Sequence, residues 1–492
     1  MSIETAADAE THEAPVLWGH PRQLWMLLAV TIGLNFAFYG FRAYLAPYMA
    51  SFYAGLGPAA AQAHADLLAS GFLALMYATP IVGGYVADKI LGEVRSLALS
   101  LWLTSAALVL MASPTLSGFE IGMAMFALAT GLNIPLTVLI GRNYTASSPR
   151  REGGYTLFYL AINLGGFIAP FICADFVGRH FGYRWGFIAA AAGNALAAGI
   201  FQLRQHKLRP LLPHGGHLHG PLTLLAVIAV IAVLVYPTAL LLSRPQILST
   251  AMYVLMALLV LYFIAGCIRR RDRVQTQRYL ALLLLFVALV LFWSLSMQGA
   301  TSLNFFARDY VNAPFDYTLF QSANPLYILL FAPLLALLWP WLGRRARDPS
   351  TPRKFGIGLL LVSLSYGLMV GGIRYGIDAA GKVAWGVLAG CYLLQTLGEL
   401  SLSPIGYSLV GLLAAPEESS LAMGGWFFGT ALAYQLAGWI ATRTTAPAGG
   451  GSAAGIAGYA HVYAQLFVIG LAVSLIYLLA APLVRKLMHG VH

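Results

Sequence analysis

The chain has 492 residues, 59% of them apolar and 10% charged, with a mean hydropathy of +0.75, against roughly 25% charged residues in an ordinary soluble domain. A soluble globular fold is excluded, because the apolar residues come in successive stretches of about 20, the length that crosses a bilayer as a helix. The net charge of +11 does not indicate nucleic acid, since Lys and Arg fall in short clusters between the apolar stretches, where membrane topology accounts for them. Cys173, Cys267 and Cys391 stand far apart in apolar segments with no C-x-x-C and no His at metal spacing, and read as small core hydrophobes. Glu4, Asp8, Glu10 and Glu13 precede any apolar run, unlike a cleavable signal peptide, so the first span is expected to direct insertion.

In chain order, apolar windows bounded by charge, Pro or Gly predict fourteen spans near 24–50, 66–88, 95–113, 118–143, 154–177, 184–203, 221–242, 249–268, 279–304, 320–343, 354–375, 383–413, 420–441 and 462–484. With both termini cytoplasmic, twenty-one of the 29 Lys and Arg fall on the inner side and seven on the other, leaving only Arg42 inside a span; this asymmetry sets the orientation in a cell (inner) membrane. The His-rich stretch Leu203–Gly220 and the Arg-rich stretch Ile268–Arg278 bracket two helices with hardly an ionisable residue. The pattern is six, two, six: an N-terminal bundle over 1–203, a linker with two additional helices over 204–278, and a C-terminal bundle over 279–492. This all-α membrane plan resembles the major facilitator layout, whose two six-helix halves bind substrate between them near the bilayer midplane. His206, His214, His217 and His219 read either as a metal tract or as a solvated linker, and the lack of an accompanying acid or Cys favours the linker. Ala446–Gly458, rich in Gly and Ala, is expected to be an external loop rather than a phosphate cradle.

Ionisable residues deep in the spans are functional candidates, because central burial of a charge costs at least about 2.5–3.5 kcal/mol. Glu399 is the deepest, beside Gly398 in the span 383–413; it faces a water-filled cavity or bonds to Ser or Tyr on a neighbouring helix. Arg42 lies near the outer end of the first span, placed to snorkel to the interface, to bind substrate or to close an external gate with an acid. Asp309, after Arg308, is the available partner for that gate, or else an exposed loop acid. Tyr39, Tyr77, Trp293, Asn304, Asn324, Tyr327, Gln395 and Trp426 add hydroxyl, amide and indole groups; the amides are the stronger candidates, because an Asn in hydrocarbon must find a partner. His64 reads as a loop residue before the second span, and the Asn143 sequon falls on the cytoplasmic side, out of reach of glycosylation.

Gly83–Arg95, GGYVADKILGEVR, resembles the loop signature between the second and third helices of major facilitator transporters. FAFYGFRAYL at Phe36–Leu45, GGYTLFYLAINLGGFIAP at Gly153–Pro170, QSANPLYI at Gln321–Ile328 and LLQTLGELSLSPIGYS at Leu393–Ser408 narrow the match. By these stretches the chain is identified as a member of the proton-dependent oligopeptide transporter family, over about Gly19 to Trp439. The resemblance implies a symporter that uses the proton gradient, with no cofactor, to import di- and tripeptides by alternating access. It implies that Glu399, at the family's tenth-helix acidic position, takes the peptide N-terminus. Tyr39 and Arg42 match the aromatic and basic positions of its first helix, and Trp293, Asn324 and Trp426 match positions lining the peptide site.

The departures are specific. The family's E-x-x-E-R before the aromatic run aligns with Thr31, Leu34 and Asn35; the Lys before the fourth helix's Pro is Ile134; the acid four residues after the seventh-helix Trp is Met297. Acids and bases are lost together, which leaves no buried charge unpaired, whereas losing one partner costs about 3–5 kcal/mol. Arg42, Asn35 and Asn324 are then expected to serve the peptide carboxylate, and Glu399 with Asp309 to carry proton coupling, with Arg42 and Asp309 at the gate. A facilitative or differently coupled transporter is the alternative. A polytopic membrane enzyme is disfavoured by the lack of an H-x₄-D, a paired His or a D-x-D cluster. The expected partners are peptides, protons and the lipid bilayer, with no nucleic acid, around a monomer.

Overall fold

A computed structural model describes residues 16–145, 148, 150–211, 220–270, 272–345, 347–415, 418–445 and 452–490. The expectations for Glu4, Asp8, Glu10 and Glu13, and for His214, His217 and His219, lie outside these residues. The chain is a multi-span helical membrane protein whose long helices are α1 (Arg22–Arg42), α2 (Pro58–Leu91), α3 (Glu93–Met111), α4 (Leu116–Gly141), α5 (Arg151–Phe181), α6 (Tyr183–Arg209), α7 (Pro221–Leu242), α8 (Pro245–Arg270), α9 (Arg273–Tyr310), α10 (Tyr317–Arg344), α11 (Thr351–Tyr375), α12 (Trp385–Leu413), α13 (Ser419–Thr442) and α14 (Ser452–Leu487). Among the described residues, twelve helices are long and apolar enough to cross a membrane. They do not include α12 and α13, which have the length, at 29 and 24 residues.

Several ends differ from the apolar windows, because hydropathy detects only the lipid-facing part of a helix and misses polar or Ala-rich first turns. The window 24–50 is two helices, α1 and the short Leu45–Phe52. Gly57, at φ 84°, and Pro58 start α2 eight residues early, so His64 is helical rather than in a loop, its ring 4.6 Å from that of Tyr53. The expected external loop Ala446–Gly458 contributes its residues from Ser452 to the first turns of α14, where Ala outweighs Gly. Asp272 caps α9, accepting from the N–H of Val274 at 2.9 Å and Gln275 at 3.3 Å.

Breaks fall where the sequence demands them. Pro135 restarts α4 after the turn Leu132–Ile134, and Pro170 opens a π-wound stretch to Gly178 in α5. In the middle of α9 the helix gives way to a tight turn over Met297–Ala300 before resuming at Ser302. Discontinuous helices at this depth are how membrane transporters free polar groups to line a site.

α1 to α6 form one bundle and α9 to α14 the other. They meet along two edges, α2 on α13 and α5 on α10, and α7 packs on α4 while α8 packs on α13 and α9, so the extra pair straddles the α2–α13 edge. Hydrogen bonds crossing between the bundles cluster at the face opposite the N-terminus. Asn304 Nδ2 donates to the Ala43 carbonyl at 3.1 Å, Ser322 Oγ to the Phe167 carbonyl at 2.9 Å and Gln62 Nε2 to Tyr459 OH at 2.8 Å, and the hydroxyls of Tyr183 and Tyr317 are 3.3 Å apart. Beyond Pro80, toward the N-terminal face, Val82 and Tyr85 of α2 are 67% and 63% exposed. The bundles are therefore joined at the far face.

Within the first bundle α2 and α4 touch backbone to backbone at Gly83, where an added Cβ would run into the Gly131 carbonyl, while Gly84 faces open space. Gly83→Val is expected to lower the thermal midpoint of the purified protein, by an overpacking cost of about 1–3 kcal/mol, and Gly84→Ala to keep or raise it, as read from thermal unfolding in detergent.

Candidate functional site

The site forms where α1, α5, α10 and α12 converge below the sealed face. A Cβ on Gly166 of α5 would meet the Tyr39 ring at 3.1 Å and Pro325 at 3.2 Å, so glycine here brings α1 of one bundle against α10 of the other. One residue before Pro325, Asn324 donates through Nδ2 to Glu399 Oε2 at 2.9 Å and lies 3.0 Å from Thr396 Oγ1, so α10 and α12 present an acid already oriented by an amide. Gly398 lets α12 approach α11, where an added Cβ would meet the Gly358 carbonyl at 2.9 Å and the Phe292 ring at 3.1 Å. Tyr39, Asn324 and Glu399 are half-buried, Glu399 between the buried Gly398 and Leu400.

Arg42 faces them from α1. Its Nη2 reaches Met297 Sδ at 3.9 Å, its guanidinium lies 5.5 Å from the Tyr39 ring centroid and 5.8 Å from that of Phe38, and its Nε is buried with no hydrogen-bond partner. A thioether and two ring faces are weak compensation for a half-buried cation whose Nε has no partner. The turn that breaks α9 at Met297 puts sulfur where an acid would have closed an ion pair.

Other expectations separate from this cluster. Asp309 takes both Nε and Nη2 of its neighbour Arg308, at 2.7 and 2.9 Å, rather than pairing with Arg42, because α9 turns away after Met297 and places Asp309 at the far face. Asn35 donates to the Thr31 carbonyl of its own helix at 2.9 Å and stands beside Gly165. Trp293 is half-buried with its ring edge-on to Phe292 at 5.4 Å. Trp426, 4% exposed, packs edge-on to Phe355 at 6.3 Å and beside α8. Tyr77 stacks on Tyr434 at 5.2 Å, Tyr327 donates to the Ala389 carbonyl at 3.2 Å, and Gln395 is buried against Ser365. Sequence reasoning missed Thr396 and Tyr434; Thr396 lies one turn before Glu399, a spacing that exposes it as a same-face neighbour. Among the described residues no group of three or more His, Cys, Asp or Glu could hold a metal ion.

Two helical bundles packed along two edges, with an acid of one and a base of the other brought to the same seam, define a secondary transporter of the major facilitator plan. The chain belongs to the POT family, whose model matches residues 96–456. It is similar to a peptide transporter from Yersinia enterocolitica, 32% identical with 86% of this chain and 88% of that one covered, and to a di-/tripeptide transporter from Lactococcus lactis, 30% identical over 96% and 98%. Among solved structures it is similar to a peptide transporter POT in complex with sulfate (TM-score 0.82, 28% identity, 97% of each chain) and to a POT family transporter in complex with 5-aminolevulinic acid (TM-score 0.78, 27% identity, 95% and 98%).

The weak compensation of Arg42 has a measurable consequence. Arg42→Met is expected to keep or raise the thermal midpoint, since replacing a poorly paired buried ion by an apolar group is neutral or stabilising. A fall as large as that of Gly83→Val would show that Arg42 is retained for structure.

Proposed function

We propose that this protein is a proton-coupled symporter that imports di- and tripeptides by alternating access through a bacterial inner membrane, as a monomer, with both termini cytoplasmic and no cofactor. The observation that carries this reading is the opposition of Glu399, held by Asn324, to the unpaired Arg42 across the seam between the bundles. A zwitterion fits that polarity: its ammonium replaces solvent at Glu399 and its carboxylate satisfies the guanidinium. Bound in this way, the substrate links the two bundles, and differential contact with each is what lets a ligand bias their rearrangement. Glu399 is the residue that takes up and releases the coupled proton, and Asp309 acts at the outer gate through its pair with Arg308. Trp293 lines the chamber, Trp426 supports it from the core, and Asn35 provides an amide beside Gly165. The names of the relatives support the peptide class of substrate, and their family consists of transporters, which supports a non-enzymatic role.

Met297 favours a second reading, a facilitative or differently coupled carrier, because a sulfur opposite Arg42 cannot exchange a proton with it. Reconstituted protein loaded with a pH dye decides between them. Dialanine outside is expected to acidify the lumen, and Glu399→Gln to abolish both this acidification and accumulation against a gradient; retention of both by Glu399→Gln contradicts the assignment. With Arg42 the single cation, amidating dialanine is expected to weaken its competition by less than about a hundredfold, and a larger loss would reveal a stronger carboxylate clamp.

A further inference from the structure

Asp66 lies in α2 at the sealed face, one turn after Gln62 and one before Ser70. It is fully buried, 0% exposed, yet neither carboxylate oxygen has a hydrogen-bond partner. The donors around it are committed elsewhere. Gln62 Nε2 donates to Tyr459 of α14 at 2.8 Å, Ser70 Oγ to the backbone carbonyl of Asp66 at 2.6 Å, and Arg308 of α9 to Asp309. The other titratable groups of this region are engaged as well. The His64 ring lies tilted against Tyr53 at 4.6 Å, and from α13 the contact is the backbone at Gly438, with Arg443 lying over Trp439 at 4.6 Å. From α8 the neighbour is apolar, Leu248 beside Gly71. An ionised carboxylate sealed in such a place without a partner is among the costliest arrangements in a protein, whereas the neutral acid forfeits only ordinary hydrogen bonds. The sealed seam therefore accommodates Asp66 as the neutral acid. Its cover is supplied largely by the second bundle, so Asp66 meets outer water when the bundles part at this face.

We propose that Asp66 is the proton-sensing residue of the outer gate: it binds one proton from the outer solution while the bundles are apart there, and is sealed as the neutral acid when α13, α9 and α14 close over α2. This rests on the transport reading and adds a site distinct from Glu399, which accepts from Asn324 of α10. Closure then consumes one outer proton, so the ratio of open to closed outer gate rises up to tenfold per pH unit wherever the exposed acid is ionised.

The test is pulsed electron resonance between spin labels at Ser51→Cys and Ala380→Cys, exposed on the two bundles at this face, in full-length protein with Cys173, Cys267 and Cys391 replaced by Ala, in nanodiscs without substrate from about pH 4 to 9. A long-distance population is expected to grow with pH in the parent, to be absent throughout in Asp66→Asn, and to grow as in the parent in Glu399→Gln. A parent with no pH response, or Asp66→Asn responding like the parent, overturns the proposal; the parent measurement alone does so if Asp66→Asn fails to fold. Loss of the response in Glu399→Gln also overturns it by moving the sensor to that residue. No peptide enters the experiment, so failure of the substrate assignment leaves its outcome intact.

Discussion

A charge inside a membrane protein must be paired, hydrated or neutralised, and the structure is arranged around the few charges that remain. Arg42 is held by ring faces and a sulfur, Glu399 by one amide, and they stand in different bundles. Had the position of Met297 carried an acid, Arg42 would be satisfied in the empty protein and a substrate carboxylate would have to compete for it. With sulfur there, the proposed binding of a substrate carboxylate would give the cation its main electrostatic partner and make binding energy available to draw the bundles together.

The same economy explains the seam. At the far face the bundles are joined by neutral hydrogen bonds, amide to carbonyl and hydroxyl to carbonyl, worth about 0.5–1.5 kcal/mol each in net terms. Such bonds are readily exchanged for water, and among the described residues the ion pairs at this face stay within one bundle, as with Arg308 and Asp309. At the N-terminal face the bidentate pair of Arg142 with Glu93, at 2.8 and 3.0 Å through Nε, braces α4 against α3 inside the first bundle.

Much of this was legible in the sequence. The apolar windows located the helices, and the uniqueness of Glu399 and Arg42 within apolar stretches marked the two poles of the site. What the sequence concealed were relations between distant segments. That Asn324 orients Glu399 follows from α10 packing on α12, and that Asp309 turns to Arg308 follows from the break in α9, neither of which hydropathy records. Asp66 escaped notice because the apolar window begins at that residue, so it read as a flank; only the earlier start of α2 at Pro58 places it inside the helix.

The central claim is that one remaining acid in the cavity suffices to couple protons to substrate. Each proton contributes about 2.3 kcal/mol per 100 mV of membrane potential, enough for an accumulation of about fiftyfold. The most direct measurement is dialanine uptake by proteoliposomes in which a potassium gradient with valinomycin sets the potential. Uptake that exceeds equilibration and grows as the interior becomes more negative is the predicted result, and uptake that stops at equilibration and ignores the potential from about pH 5 to 8 would contradict it.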